Sequence, residues 1–386
     1  MSHARQYGAQ GGLSWIVRIL ALFAVLALLA ACADDADDDA ADEDDPAAAT
    51  DDDDDDDEVD DDVDETDEAD DDGAEVDEDA LNLRFAFEGP PETNQQNASD
   101  FFEEAIVEVS DGAMEIDPFG GGELGGEPEL LEQLQAGTLP LVNSSTANAA
   151  ILNDVSGVFS LHYLFESPEH QTAALKDPDV IQAYADIMDD DAVKLLTLYT
   201  LPLRHMYADG IEVRSPEDLE GRSVRVQATE TEEAFFGAYG AQTVNMAFPE
   251  LYSALQTGVV DFAENAITYY SGSNHEEVAP TMSATQHAGN TQAIWVSRPA
   301  WDDLSDQQQE WLQEAADRVN EQAIDSAFEL EDEVRERLES EQEGFEFIED
   351  VDREAFQEAA QPVFDELVED FGPEAEELVE LIQAHR

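Results

Sequence analysis

The chain has 386 residues, with 96 Asp plus Glu against 15 Lys plus Arg and a formal charge of −81. Such an excess of acid repels nucleic-acid phosphates, which excludes DNA or RNA binding as a role. The single cysteine, Cys32, excludes an internal disulfide, a CxxC redox pair and a multi-thiolate zinc site.

From the amino terminus, Arg5 and Arg18 flank a stretch with Gly and Ser, and residues 19–31 form an unbroken apolar run. That run is shorter than the roughly 17–25 residues that span a bilayer, but it suits the core of an export signal. It closes on Leu29-Ala30-Ala31-Cys32, which resembles the lipobox of prokaryotic lipoproteins. The resemblance implies a signal peptide over 1–31, cleavage before Cys32 and a diacylglycerol on its sulfur. Two acyl chains suffice for stable anchoring, so the expected location is extracytoplasmic, on the outer face of the cytoplasmic membrane. Residues 34–79 then hold 31 acids and no bases. Like charges extend such a chain and it has no core to bury, so 32–80 reads as a disordered tether reaching roughly 150 Å. A calcium-loop pattern starting at Glu68 is of the kind that poly-acid sequence produces by chance.

The acidity continues beyond the tether. Residues 80–386 carry 65 acids and 13 bases, a net of −52, and Lys176 and Lys194 are the only lysines there. Acid excess with lysine depletion is expected of a protein working in concentrated salt, where the Debye length falls to roughly 3 Å.

Alternation predicts a strand over 82–87, and apolar spacing predicts a helix over 97–110 with Phe101, Phe102, Ala105, Ile106 and Val109 on one face. A strand over 113–117, a helix over 129–135 ending at Gly137 and a strand over 138–142 follow. This βαβαβ order implies an α/β fold with a mainly parallel sheet. The unit Glu129-Leu130 … Leu134-Gln135-x-Gly137 returns as Glu250-Leu251 … Leu255-Gln256-x-Gly258. In each copy leucines four apart share a helix face and Gly provides the left-handed cap. Strands over 223–227, 242–246 and 259–263 and a helix over 231–239 surround the second copy. Either two α/β domains reuse one turn, or two similar lobes face each other across a cleft. Beyond Trp301 the chain reads as helix. Ser305 with Gln308 offers a capping box, and a helix unbroken to about Gln342 is about 55 Å long, enough to run along both lobes. Helices over 353–371 and 373–384 close the chain.

Gly120-x-Gly122-x-x-Gly125 lies between a strand and a helix, but the next strand runs into Asn143-Ser144-Ser145 without the acid that a dinucleotide ribose requires. No GxSxG, HExxH, Walker loop or zinc spacing occurs, and the histidines are scattered, so neither an enzyme nor a metal or cofactor is expected. The scarce charge is more informative. Arg225, in Ser223-Val224-Arg225-Val226-Gln227, faces away from the two valines. Its fork either pairs with a neighbouring acid or grips a ligand carboxylate bidentately.

Four segments in order, Gly125 to Gly137, Ser215 to Val226, Phe248 to Asp261 with Glu264-Asn265 after it, and Trp301-Asp302-Asp303-Leu304-Ser305, resemble the solute-binding proteins of tripartite ATP-independent periplasmic (TRAP) transporters, the DctP family. The resemblance runs from about Leu81 to Phe371. It implies a two-lobed clamp of the periplasmic-binding-protein kind, with a first lobe over 81–204 plus roughly 293–345 and a second over 205–292 plus 346–386. It also implies a small organic carboxylate, dicarboxylate-like, held by Arg225, with Asn265 and Arg204 reaching the ligand. Asn94, Ser144 and Ser145 are expected on strand-end loops lining the cleft, and Phe248 as wall or core. The implied partners are the small and large subunits of a membrane permease, and the receptor itself is expected to be a monomer. The alternatives are a binding component of an ATP-driven importer or sensor system, or an exported enzyme on an α/β scaffold. Phe262 and Ala266 stand where the family usually has Gly and Pro, which leaves the carboxylate grip intact and the rest of the ligand open.

Overall fold

The computed structural model describes residues 80–189, 192–227 and 229–386. The signal segment, Cys32, the acidic tether and the calcium-loop pattern lie outside the described residues.

The first sheet begins as expected. Strand β1 (Leu81–Phe87) leads through helix α1 (Asn94–Val109) to β2 (Met114–Phe119), and α2 (Glu127–Gln135) leads to β3 (Leu141–Ser145). β2 and β3 flank β1, both parallel to it. The burial stripe Phe102, Ala105 and Ile106 forms the inner face of α1. Two boundaries move. β3 starts after Pro140, whose ring removes a ladder N–H, so Ser144 and Ser145 lie inside the strand rather than in a loop after it. α1 starts earlier because Thr93 caps it by accepting from the Gln96 N–H, which places Asn94 in the first helical turn.

Two long strands, β4 (Val193–Leu201) and β10 (Asn290–Ser297), complete this sheet in the order β2-β1-β3-β10-β4, with β10 antiparallel to both neighbours. Four of the five strands of this sheet therefore run the same way, as expected of a mainly parallel sheet, and β10 is the antiparallel strand inserted between β3 and β4. Between β3 and β4 lie α3 (Pro168–Leu175) and α4 (Pro178–Met188).

The second sheet has the order β11-β9-β5-β8-β6-β7. It is built from β5 (His205–Ala208), β6 (Ser223–Val226), β7 (Gln242–Asn245), β8 (Phe262–Asn265), β9 (Thr281–Ser283) and β11 (Glu346–Ile348), with α5 (Glu230–Ala238), α6 (Leu251–Thr257) and α7 (Ile267–Gly272) between them. Gly137 and Gly258, the glycines of the repeated unit, have φ of 71° and 70°, so both left-handed caps form.

Segments 202–204 and 284–289 pass between the sheets side by side, joined by Arg204 N–H to Ala288 O at 2.9 Å, and Tyr163 N–H donates to His287 O at 2.7 Å. After the short α8 (Arg298–Asp303), the capped helix α9 (Asp306–Glu341) has 36 residues. It packs on α1 and β4 and reaches α7. Helix α10 (Arg353–Phe371) packs on α5 of the second sheet, and α11 (Pro373–Gln383) returns to α4 and α3 beside the first.

Candidate functional site

Polar side chains gather where strands of the two sheets end. Glu88 follows β1, Ser145 ends β3, Gln227 follows β6 and Asn265 ends β8. All four are buried. Crevices at the carboxyl ends of parallel strands are where open α/β folds place ligands.

Arg225 is 3% exposed. Val224 and Val226 anchor β6 in the core, so the alternate side chain turns to the opposite face. Its Nε and Nη2 donate to the Met246 carbonyl at 3.1 and 2.8 Å, and its guanidinium lies 5.7 Å over the Phe248 ring. It forms no ion pair among the described residues. Burial lowers its pKa, opposed chiefly by the charge of Glu264, and a guanidinium stays charged throughout the working range. Among the described residues this buried cation is held by one backbone carbonyl and one aromatic face, which leaves guanidinium N–H groups available to an anion.

Arg204 meets a different arrangement. Its Nη2 donates to Glu264 Oε1 at 2.6 Å and to the Glu264 carbonyl at 3.2 Å, while Nε holds Oε2. His287 Nε2 lies 3.4 Å from the same Oε2. Burial alone would raise the Glu264 carboxyl, but Arg204 and His287 outweigh it and hold it at about 2. The fork of Arg204 thus braces β8 from within the protein.

Asn265, next to Glu264, accepts from the Ala266 N–H at 2.9 Å and from Asn290 Nδ2 at 3.2 Å. An amide ladder continues from there. Gln292 Nε2 donates to Asn290 Oδ1 at 3.0 Å, and Gln95 Nε2 donates to Gln292 Oε1 at 2.9 Å. Gln95 ties the ladder to Glu127, whose carboxylate also accepts from Ser145 Oγ and, at 2.7 Å, from Asn148 Nδ2. Gln227 Nε2 donates to Ser145 Oγ at 3.2 Å, joining the end of β6 in one sheet to the end of β3 in the other.

Ser144 and Ser145 separate because successive strand residues face opposite ways. Ser144 Oγ accepts from Trp295 Nε1 at 3.1 Å, on the face away from Ser145. Asn94 Oδ1 accepts from Thr268 Oγ at 3.2 Å, and its Nδ2 is buried without a partner among the described residues. Phe248 is 9% exposed and meets Tyr269 edge-on at 5.5 Å. Its ring lies beneath Arg225 and packs into the core.

Glu88, Glu127 and Tyr269 were not singled out in the sequence. Glu88 Oε2 accepts from the Glu127 N–H at 2.9 Å, and a Cβ on Gly126 would come within 2.9 Å of that oxygen. A side chain at 126 would displace that carboxylate oxygen. Burial, and then the charge of Glu127, raise the Glu88 carboxyl to about 8. The available signal was an acid directly after the apolar strand Phe85-Ala86-Phe87 and before Gly89-Pro90-Pro91. Among the described residues, no group of three or more His, Cys, Asp or Glu is arranged to hold a metal ion, and no helix is long and apolar enough to cross a membrane.

Residues 85–370 match the family described as bacterial extracellular solute-binding protein, family 7. The chain is 29% identical over 295 residues to a solute-binding protein of Chromohalobacter salexigens, covering 76% of this chain and 86% of that one. It is 27% identical over 312 residues to the ectoine-binding periplasmic protein TeaA of Halomonas elongata, covering 78% and 89%. It is also similar to the crystal structure of a TRAP periplasmic solute-binding protein of Roseobacter denitrificans with bound β-D-glucuronate. There the identity is 30% and the TM-score 0.73, covering 78% of this chain and 99% of that one. The two-sheet mixed α/β architecture is that of the TRAP clamps, and the chain belongs to the DctP family of TRAP solute-binding proteins.

Proposed function

We propose that this protein is the extracytoplasmic receptor of a TRAP system, capturing a small organic acid and delivering it to a permease of small and large membrane subunits. The carrying observation is Arg225, a buried guanidinium whose N–H groups, among the described residues, donate only to the Met246 carbonyl, placed where the strands of both sheets end. A ligand carboxylate completes its coordination, Asn265 and Ser145 orient the ligand, and the Gln227–Ser145 bond draws the sheets together over it. Arg204 supports the site through Glu264, which sits beside Asn265. Asn94 contributes its amide N–H, which has no partner among the described residues. Ser144 contributes through Trp295 and the strand it steadies.

Cys32 is proposed as the lipid anchor and 34–79 as the tether between membrane and clamp, with the receptor acting as a monomer in a saline medium. Its family consists of periplasmic binding proteins rather than enzymes, which supports reading the site as one that releases its ligand unaltered. Native mass spectrometry of the purified protein tests this. The expected spectrum shows one organic acid retained per chain and released unchanged on denaturation. A chemically altered product appearing on incubation would contradict it.

A further inference from the structure

Helix α9 packs on the first sheet, and where it passes the second sheet it closes one side of a cavity of about 360 Å³. Gln286 of the 284–289 crossing and His205 at the start of β5 line it from the region between the sheets. Glu331, Asp332 and Arg335 line it from α9, and Arg353 from the start of α10. Phe347 of β11 fixes two of these: its ring meets His205 edge-on at 5.6 Å and lies 4.1 Å from the Arg335 guanidinium. The cavity shares no residue with the strand-end cluster around Arg225.

The charges around this cavity are only partly matched within the protein. Arg335 is matched, holding Glu339 and Glu349 at 3.0 and 2.7 Å. Arg353 is not: its Nε is buried without a partner, and its guanidinium forms no hydrogen bond or ion pair among the described residues. Asp332 has no partner among them either. Glu331 has only His205 Nε2 at 3.6 Å, beyond hydrogen-bond reach. His205 is 2% exposed, and its Nδ1 is buried without a partner. In a chain with 96 acids, an arginine that shares a cavity with free carboxylates and pairs with none leaves both signs open to a third molecule. A lone anion would meet the repulsion of Glu331 and Asp332, and a lone cation that of Arg353. A molecule carrying both charges meets neither. With Nε2–H turned to Glu331, His205 Nδ1 is an acceptor and belongs to the pole that takes an ammonium. The Arg353 fork belongs to the pole that takes a carboxylate.

We propose that this cavity binds a small zwitterion, an amino acid or a betaine, with its carboxylate on Arg353 and its ammonium towards Asp332, Glu331 and His205, and that its occupancy favours the closed clamp. The volume suits molecules of that size. The walls come from the helix packed on the first sheet, from the second sheet and from a segment that crosses between them. A molecule bridging Arg353 to α9 therefore ties together elements that must shift when lobes separate. In the same structure the Gln227–Ser145 bond joins the two sheets, so the cavity described is that of the joined arrangement. By linkage, a zwitterion that prefers this arrangement tightens acid binding by the factor with which the acid tightens its own. The site itself stands whatever Arg225 holds, and only the coupling rests on the carboxylate-receptor reading.

Titration calorimetry with glycine and glycine betaine tests this. With the unaltered protein and the acid it retains, an excess of at least one of these zwitterions should tighten the acid about fivefold or more, and acetate or methylammonium should not. Arg353→Gln and Asp332→Asn should each remove the tightening while leaving the acid affinity measured without zwitterion within about twofold, which also shows that each variant is folded. In Arg225→Ala, where the strand-end cluster has lost its cation, the zwitterion should still bind, and adding Arg353→Gln should weaken it about tenfold or more. An acid affinity indifferent to both zwitterions would overturn the inference. So would an acid affinity weakened by them, the mark of competition at Arg225, and neither measurement needs a variant. Zwitterion binding by Arg225→Ala, beside an unaltered protein that binds no acid, would uphold the cavity and sink the carboxylate-receptor reading instead.

Discussion

Arg204 and Arg225 differ in their partners, and the parts proposed for them rest on that difference. Arg204 and Glu264 form a buried pair, and removing one member strands the other charge. Arg204→Met is therefore expected to cost about 3–5 kcal/mol in urea unfolding, and a loss under about 1 kcal/mol would contradict the bracing role. Two buried carboxyls should give opposite pH signatures. Glu264, held at about 2 against an ordinary 4.5, contributes stability that is present above pH 4.5 and is lost as pH falls towards 2. Glu88, raised from 4.5 to about 8, resists ionisation, so its cost to folding grows as pH climbs from 4.5 to 8. Calorimetric melting should find Glu88→Gln more stable than the unaltered chain at pH 8 and little changed at pH 4. A reversed order would refute the burial of an ionisable Glu88. Arg225 was legible in the sequence because a base between two strand valines is rare in so acidic a chain. Glu127 was hidden, since one acid among 96 carries no mark of burial until the tertiary fold places it, and Glu88 had only its place directly after an apolar strand to mark it. The separation of Ser144 from Ser145 turned on a strand boundary set by Pro140.

Among the elements, the repeated helix–Gly–strand unit was readable because two leucines and one glycine dictate it locally. Gly258 adopts φ 70° with open space around a Cβ, whereas a Cβ on Gly137 would meet Pro299 at 3.1 Å. Gly258→Ala should cost about 1 kcal/mol from the left-handed backbone alone, and Gly137→Ala more. Equal costs by chemical denaturation would show that the Pro299 contact relaxes freely. The capped helix α9 was equally plain, with Ser305 and Gln308 exchanging the bonds of a capping box. β4 and β10 escaped notice because both faces of each are buried. A strand covered on both sides loses the alternation that reveals strands, and antiparallel insertion of β10 depends on a chain return that local sequence does not encode.

For the whole molecule, residues 80–386 carry −52, against which the proposed site sets the buried positive charge of Arg225. At high salt a surface charge of this density is screened within roughly 3 Å, while a carboxylate enclosed against Arg225 keeps most of its attraction. Lowering salt to the millimolar range is expected to unfold the clamp through self-repulsion. A far-UV circular dichroism spectrum unchanged on desalting would contradict adaptation to salt. The central claim is that Arg225 holds the ligand carboxylate, and titration calorimetry of Arg225→Ala with the acid that the unaltered protein retains addresses it most directly. The expected result is at least about a 100-fold loss of affinity, about 2.7 kcal/mol, from removing a charge-assisted bidentate contact, with the circular dichroism spectrum of the fold preserved. Affinity unchanged in a folded Arg225→Ala variant would contradict the assignment.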